Sequence, residues 1–294
     1  MITDVTELSG EDREIVADVA VVGAGPAGIV TALELAEGGH DVLVIETGGL
    51  KFNQEAQDLA EAADWDRARH APLTMACRRQ LGGSTVIWGG RCVPYDPIDF
   101  ERRAIANFAE WPVTYEEISR YFGRACEWLV CGRPLFSAAQ ISGLSPGIVP
   151  GMVDGEIEGS HLERWSRPTN FGSQYRSRLI SSPRARVVTG LTCTGIVAQG
   201  QGDRVDFLEC RTLRGALVVV RAELYVVSAG GLESTRLLLA AARPDGEPVF
   251  DPDGPLGRYY MGHVEGVVAD VQFLTPAKDT VFGYERDVDG SFVR

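Results

Sequence analysis

The stretch that most constrains this chain runs from Asp18 to Glu46, DVAVVGAGPAGIVTALELAEGGHDVLVIE. It opens on a β-branched apolar run, Val19 to Val22, with the length of a buried parallel strand. Gly23, Gly25 and Gly28 follow in G-x-G-x-x-G spacing, with Pro26 and Ala27 between the last two. Ile29, Leu33 and Leu35 carry a helix that Gly38-Gly39 stops, and Val42 to Ile45 makes a second strand ending on Glu46. Strand, tight turn, helix and strand in this order predict a dinucleotide-binding α/β unit.

Each glycine meets a separate need. Gly23 permits the sharp turn off the strand, Gly25 lets backbone approach a pyrophosphate, and Gly28 lets the helix pack closely. The helix N-terminus turns unpaired N–H groups and a partial positive charge toward the phosphates. Glu46 lies 18 residues past Gly28, where a carboxylate can accept hydrogen bonds from a ribose and repels a 2′-phosphate. NADP is therefore disfavoured, and the motif alone does not choose between FAD and NAD. A lone G-x-G-x-x-G can be a chance glycine turn. Here both strands, the helix and the acid stand in their expected places.

At 294 residues the chain has room for one large α/β domain or two smaller ones. Its 28 basic and 41 acidic residues give a net charge of −13, which argues against nucleic acid or an anionic membrane surface as partner. No apolar run approaches the roughly 18 residues that span a bilayer. The acidic N-terminus lacks the basic-then-apolar layout of a signal peptide, so a cytoplasmic location is expected. Six cysteines (Cys77, Cys92, Cys126, Cys131, Cys193 and Cys210) form no C-x-x-C and no zinc-like cluster, and reduced thiols without a metal are expected.

Residues 1 to 17 read as a polar arm, and Gln54 to Asp66 as helix. In RRQLGGSTVIWGGR, residues 78–91, two glycine pairs bracket a small-polar and aromatic segment able to fold against a flat ligand. Thr114 and Glu117 form a capping box for a helix reaching about Cys131. Between Gly132 and Gly159 the composition turns to Gly, Pro, Ser and acids, an irregular excursion, and Ser173 to Ile180 reads as helix. Strands are expected at Ala185–Val188, Thr192–Ala198, Val205–Thr212, Ala216–Val220 and Leu224–Ser228. Ala229-Gly230-Gly231 then turns into a helix from Glu233 to Ala242, a second strand–glycine–helix unit, and Val267 to Leu274 is strand-like.

Taken together, the motifs resemble the glucose–methanol–choline (GMC) flavoprotein oxidoreductases. The matching pieces, in family order, are VVGAGPAG at 21–28 with Glu46, LGGSTVIWGGR at 81–91 and YDPIDFE at 95–101. WPVTYEEISRYFGRA at 111–125, VVSAGGLESTRLLL at 226–239 and LGRYYMGH at 256–263 complete the set, so the resemblance covers nearly all of 18–265. Its look is of the bacterial sugar- and polyol-oxidising branch.

The resemblance implies a Rossmann-like FAD-binding domain, with a parallel sheet and a β-meander, plus an incomplete α+β substrate-binding domain. The corresponding division is 1–103 and 183–262 for the FAD-binding parts, 104–182 for a helical and loop segment, and 263–294 for the start of the substrate-domain sheet. It also implies FAD in place of NAD. Gly23, Gly25, Pro26, Ala27 and Gly28 would hold the pyrophosphate and Glu46 the adenosine ribose. Gly82, Gly83 and Ser84 would back the pyrophosphate and ribityl chain, and Trp88, Gly89 and Gly90 would lie close to the isoalloxazine. Backbone at Cys193 would meet the adenine, and Ala229 with Gly230 the AMP half. The loop Ser84-Thr-Val-Ile-Trp88 has no histidine, so non-covalent FAD is expected.

One departure matters. Family catalysis uses a histidine with a second His or an Asn, and no such segment occurs before Arg294. His40, His70, His161 and His263 are the only histidines, and His263 is the weak candidate for a direct role. A flavin-binding subunit is therefore expected, oxidising a small alcohol or sugar by hydride transfer, with the acid–base residues on a second polypeptide. A cofactor-binding but catalytically silent subunit is the alternative, and an NAD-dependent enzyme a third.

Overall fold

The computed structural model describes residues 1–8, 13–102, 111–141, 160–167, 169–262 and 285–293, with a few single positions between 266 and 276. The chain forms two compact units, Met1–Ile87 with Asn170–Val264 and Trp88–Thr169 with Glu265–Arg294. In chain order the first unit begins with β1 (Ile2–Asp4), β2 (Glu14–Val22), α1 (Pro26–Glu37), β3 (Val42–Glu46) and the short helices α2 (Gln54–Asp58) and α3 (Leu73–Ala76). The second supplies β4 (Arg91–Cys92), α4 (Tyr115–Ser119), α5 (Phe122–Leu129) and β5 (Arg164–Trp165). The first resumes with α6 (Phe171–Gln174), α7 (Arg176–Ser181), β6 (Ala185–Thr189), β7 (Leu191–Gln199), β8 (Arg204–Thr212), β9 (Leu217–Val227) and α8 (Gly231–Leu239). The hairpin β10 (Glu285–Arg286) and β11 (Phe292–Val293) belongs to the second.

One seven-stranded sheet organises the first unit, in the order β1-β6-β3-β2-β9-β8-β7. Every neighbour from β1 to β9 runs parallel, and β9, β8 and β7 form an antiparallel meander. Its central order β6-β3-β2-β9 places the third, second, first and fourth strands side by side, the Rossmann arrangement. Sequence periodicity explains the strand lengths. Val19–Val22 and Val42–Ile45 are continuous apolar runs and are buried throughout, because α1 covers one face of these strands while Leu191, Cys193 and Ile196 of β7 and Leu208 of β8 pack against Ala20, Val22, Leu43 and Ile45 on the other. Helix α1 lies on β2 and β3 through Ile29, Ala32, Leu33 and Ala36, a single apolar stripe at helical spacing. Each such buried Val, Leu or Ile side chain stabilises the fold by roughly 1.5–3 kcal/mol.

Several expectations need correction: the helix expected from Thr114 to about Cys131 is two, α4 and α5, parted at Arg120–Tyr121, and the helix expected at Ser173–Ile180 is two, α6 and α7, parted at Tyr175. The polar arm at 1–17 is partly strand. Ile2–Asp4 pairs with Val187–Thr189, and the Met1 ammonium donates to the Leu179 and Ala185 carbonyls at 3.0 and 2.8 Å. Glu14–Ala17 already belongs to β2, with Ile15 and Ala17 buried and Glu14 and Val16 exposed. That alternation marks a strand with one wet face, which composition alone hides. The two strands expected at Ala216–Val220 and Leu224–Ser228 are one. Arg221–Glu223 stays within β9, because its backbone changes partner from β8 to β2 without a break. The helix expected to reach Asp66 ends as a 3-10 turn at Ala62.

The second unit holds a small antiparallel sheet, β10-β11-β5-β4. Thr114 and Glu117 make the expected capping box, Glu117 N–H donating to Thr114 Oγ1 at 3.2 Å and Thr114 N–H to Glu117 Oε2 at 2.7 Å. Arg164, wholly buried, donates from Nε to the Cys131 carbonyl (2.8 Å) and from Nη2 to Asp287 Oδ2 (3.1 Å). Of the strand-like stretch Val267–Leu274, positions 268, 269, 271 and 273 lie outside the described residues, and the four described ones are not in a strand.

Candidate FAD site at the carboxyl edge of the parallel sheet

The crevice at the carboxyl ends of β2, β3 and β9 is where the strand order reverses, and open α/β sheets bind ligands at that point. Gly23 leaves β2 with φ +99°, a conformation that costs other residues strain. A Cβ on it would stand 2.8 Å from the Ser228 carbonyl oxygen, so β9 presses directly on the turn. Gly28 is closer still: a Cβ there would overlap the Gly23 carbonyl oxygen. Its role is to let α1 begin against the turn itself. Pro26 and Ala27 form the first turn of α1, capped by Gly25. No side chain caps that helix and no acid sits in its first turn, which leaves its N-terminal N–H groups turned to an anionic ligand.

Two glycine motifs far apart in sequence meet here. Gly82 N–H donates to the Ala24 carbonyl at 2.8 Å, and a Cβ on Gly25 would lie 4.0 Å from the Gly83 Cα. Ser84 belongs to the 3-10 turn Gly83–Val86 that follows. Glu46, at the end of β3, accepts the Ala24 N–H through Oε2 (2.9 Å) and the Gly48 N–H through Oε1 (2.8 Å). Burial pushes its carboxyl pKa up, opposed by those two N–H bonds and by the Arg79 guanidinium. Ala229 follows β9, and Gly230 caps α8 with φ +82° and open space where a Cβ would point. Cys193 sits in β7, paired in register with Cys210.

The structure thus brings together Gly23, Gly25, Pro26, Ala27, Gly28, Glu46, Gly82, Gly83 and Ser84, with Ala229 beside the turn. Trp88, Gly89 and Gly90 belong to the second unit. There Trp88 Nε1 donates to the Thr169 carbonyl (3.2 Å), the Gly90 carbonyl accepts Ser166 N–H (2.8 Å), and Gly89 lies beside the Trp165 ring. His263 lies outside the described residues. Sequence reasoning missed two fasteners. Ser228 Oγ donates to the Val22 and Gly23 carbonyls at 2.9 and 3.1 Å, and Thr85 Oγ1 donates to Gly82 O and accepts Phe171 N–H. Ser228 was visible as the polar residue closing a buried strand. Thr85 carried no signal.

The fold and crevice place the chain among nucleotide-binding proteins, and comparison with known families decides which. The family model for FAD-dependent oxidoreductases, DAO, matches residues 18–280. The chain belongs to this family. FAD is accordingly the cofactor, and the uncapped start of α1, the glycine backbone of Gly25 and Gly83 and buried Glu46 fit its diphosphate and ribose. Among curated relatives, 2-methyl-1,2-propanediol dehydrogenase of Mycolicibacterium austroafricanum is 24% identical, covering 86% of this chain and 56% of its own length. The 6'''-hydroxyparomomycin C oxidase of Streptomyces lividus is 26% identical, covering 81% and 51%. The chain therefore spans about half the length of the curated relatives it matches. A solved fungal aryl-alcohol oxidase shares the fold, with TM-score 0.51, 16% identity, and coverage of 79% of this chain and 50% of that one. Among the described residues of this family member, no group of His, Cys, Asp and Glu is placed to hold a metal ion. Nor is any helix long and apolar enough to cross a membrane.

Proposed function

We propose that this chain is the FAD-binding portion of a GMC-type oxidoreductase that oxidises a CH–OH group of a sugar, polyol or other alcohol. The observation that carries the reading is the meeting of Gly25 and Gly83 over the start of α1, with Glu46 fastened beneath. Bound FAD supplies a hydride acceptor. The chain's own part is to grip and orient. Backbone N–H groups at the start of α1 would hold the diphosphate, and the Glu46 carboxylate, with lone pairs left beyond its two N–H bonds, would accept from ribose hydroxyls. The curated relatives named for a propanediol and for hydroxyparomomycin support an alcohol as substrate class.

A proton acceptor for the alcohol belongs to the other half of this reading. Among the described histidines, His40 and His161 are exposed, and His70 is engaged at both nitrogens, with the Ala71 carbonyl and the Tyr260 hydroxyl. The acid–base pair then comes from sequence outside these residues, on the same polypeptide or on a second one. A visible spectrum tests the proposal. The purified protein takes up FAD without a covalent bond, and anaerobic sugar or polyol bleaches it only when the missing half is supplied. Protein that stays colourless with added FAD overturns the site. Turnover by the 294 residues alone overturns the external base.

A further inference from the structure

Three charged side chains beside the glycines of two motifs form a continuous chain in the first unit. Arg79 Nη2 meets Glu233 Oε1 at 2.5 Å, Glu233 Oε2 accepts from Arg236 Nε at 2.8 Å, and Arg236 Nη2 reaches the Cys193 carbonyl at 3.5 Å. The Arg79 and Glu233 side chains are mostly buried, 15% and 27% exposed, unlike an ordinary surface pair. Arg79 is anchored on the β3 side: its N–H donates to Gln57 Oε1 at 3.0 Å, and its backbone lies against Gly48. Glu233 is in the first turn of α8, directly after β9. Strands β3 and β9 flank β2, so the Arg79–Glu233 pair joins the two banks of the crevice whose floor is the Gly23–Gly28 turn.

We propose that Arg79, Glu233 and Arg236 form an ion-pair strap that closes over the nucleotide end of FAD and governs its release. They are positioning residues. The strap links the loop after β3 to the helix after β9, so breaking either partner frees both banks at once. The proposal rests on the FAD site described above. A different role for Arg79, direct attraction of the anionic diphosphate, makes an opposite forecast. In that case Glu233 is a competitor, and its removal tightens binding.

Release of FAD on dilution, followed by recovery of flavin fluorescence, separates the two. Under the strap, Arg79→Gln and Glu233→Gln each speed release about tenfold, and the double variant is no faster than either single one. Faster release from Arg79→Gln with slower release from Glu233→Gln overturns it, as does unchanged release in both. Arg236→Gln, at a half-exposed position, serves where a buried variant fails to fold. About threefold faster release is expected of it, and unchanged release overturns the strap. Wild-type protein that takes up no FAD removes the site itself. Normal uptake with unaltered release in the variants removes the strap alone.

Discussion

The Glu46 carboxylate accepts the Ala24 backbone N–H at 2.9 Å, joining the end of β3 to the turn that leaves β2. Its other oxygen holds Gly48 N–H, so one side chain fixes two loops that line the crevice. An amide in its place has a single acceptor oxygen and leaves one buried N–H without a partner. Glu46→Gln is therefore expected to lose about 1–3 kcal/mol of stability and to bind FAD more weakly. Urea unfolding and flavin titration measure both.

The same residue gives a pH dependence of defined sign. Burial raises the folded-state pKa of Glu46 above its ordinary 4.5. The folded state thus holds that proton more tightly, and its contribution is complete below pH 4.5 and lost as pH rises through the folded-state value. Stability of the wild type is expected to contain this declining component above pH 4.5, and Glu46→Gln to lack it. Paired urea titrations across that range check it, and identical pH profiles would count against it.

Gly25 and Gly28 separate cofactor binding from folding. A Cβ on Gly28 overlaps the Gly23 carbonyl oxygen and stands 2.7 Å from Ser228 Oγ, so Gly28→Ala forces the turn and β9 apart. A loss of about 2–3 kcal/mol is expected, read from the unfolding midpoint. At Gly25 the nearest atom is the Gly83 Cα at 4.0 Å, an ordinary contact. Gly25→Ala is expected to fold with near wild-type stability yet lose FAD affinity, since its methyl projects into open space at the start of α1, where the diphosphate would approach the backbone. Retained affinity in a folded Gly25→Ala protein argues against that placement.

How much of this was legible in the sequence depends on whether the signal was local. The unit from Val19 to Glu46 was legible because apolar run, glycine spacing and helical stripe each report local backbone. The Thr114–Glu117 capping box was legible for the same reason. Ile2–Asp4 was not, because a three-residue edge strand is set by its partner β6 rather than by its own pattern. Arg221–Glu223 reads as a break, yet the pairing of β9 with β2 holds it extended. The contact of Gly82–Gly83 with Ala24–Gly25 joins positions nearly 60 residues apart in sequence, and only the resemblance hinted at it. The Arg79–Glu233 pair, at a separation of 154, had no sequence signature.

Thiol reactivity tests the burial of the cysteines. All six are free, and Cys92, Cys126, Cys131, Cys193 and Cys210 are buried while Cys77 is half-buried. Burial and the nearby Glu233 raise the Cys77 thiol pKa, so even this group reacts slowly near neutral pH. One slow equivalent with an aromatic disulfide reagent is expected from native protein, and the other five only on unfolding. Rapid reaction of more than one thiol in native protein contradicts this packing.

The second unit depends on Arg164. Its guanidinium is wholly buried and holds the Cys131 and Leu135 carbonyls, Asp287 and Ser291, while Asp287 is also paired with Arg133. Arg164→Met leaves the buried Asp287 with Arg133 as its remaining cation and takes donors from the Cys131 and Leu135 carbonyls, and is expected to cost about 3 kcal/mol in this unit. The Asp287 pKa feels burial upward most strongly, but the bonds from Arg133, Val288 N–H and Arg164 together hold it below its ordinary 3.8. An acid so depressed contributes stability above pH 3.8 that fades as pH falls through the folded-state value. Wild-type protein is expected to lose structure in this unit on acidification below pH 3.8, a loss that near-ultraviolet circular dichroism of Trp128 and Trp165 follows. Arg164→Met with Asp287→Leu removes both charges and is expected to recover part of the single variant's loss, with a smaller acid transition, since Asp289 beside it is also held below its ordinary value. An acid transition of undiminished size in the double variant shows that Asp287 is not its source.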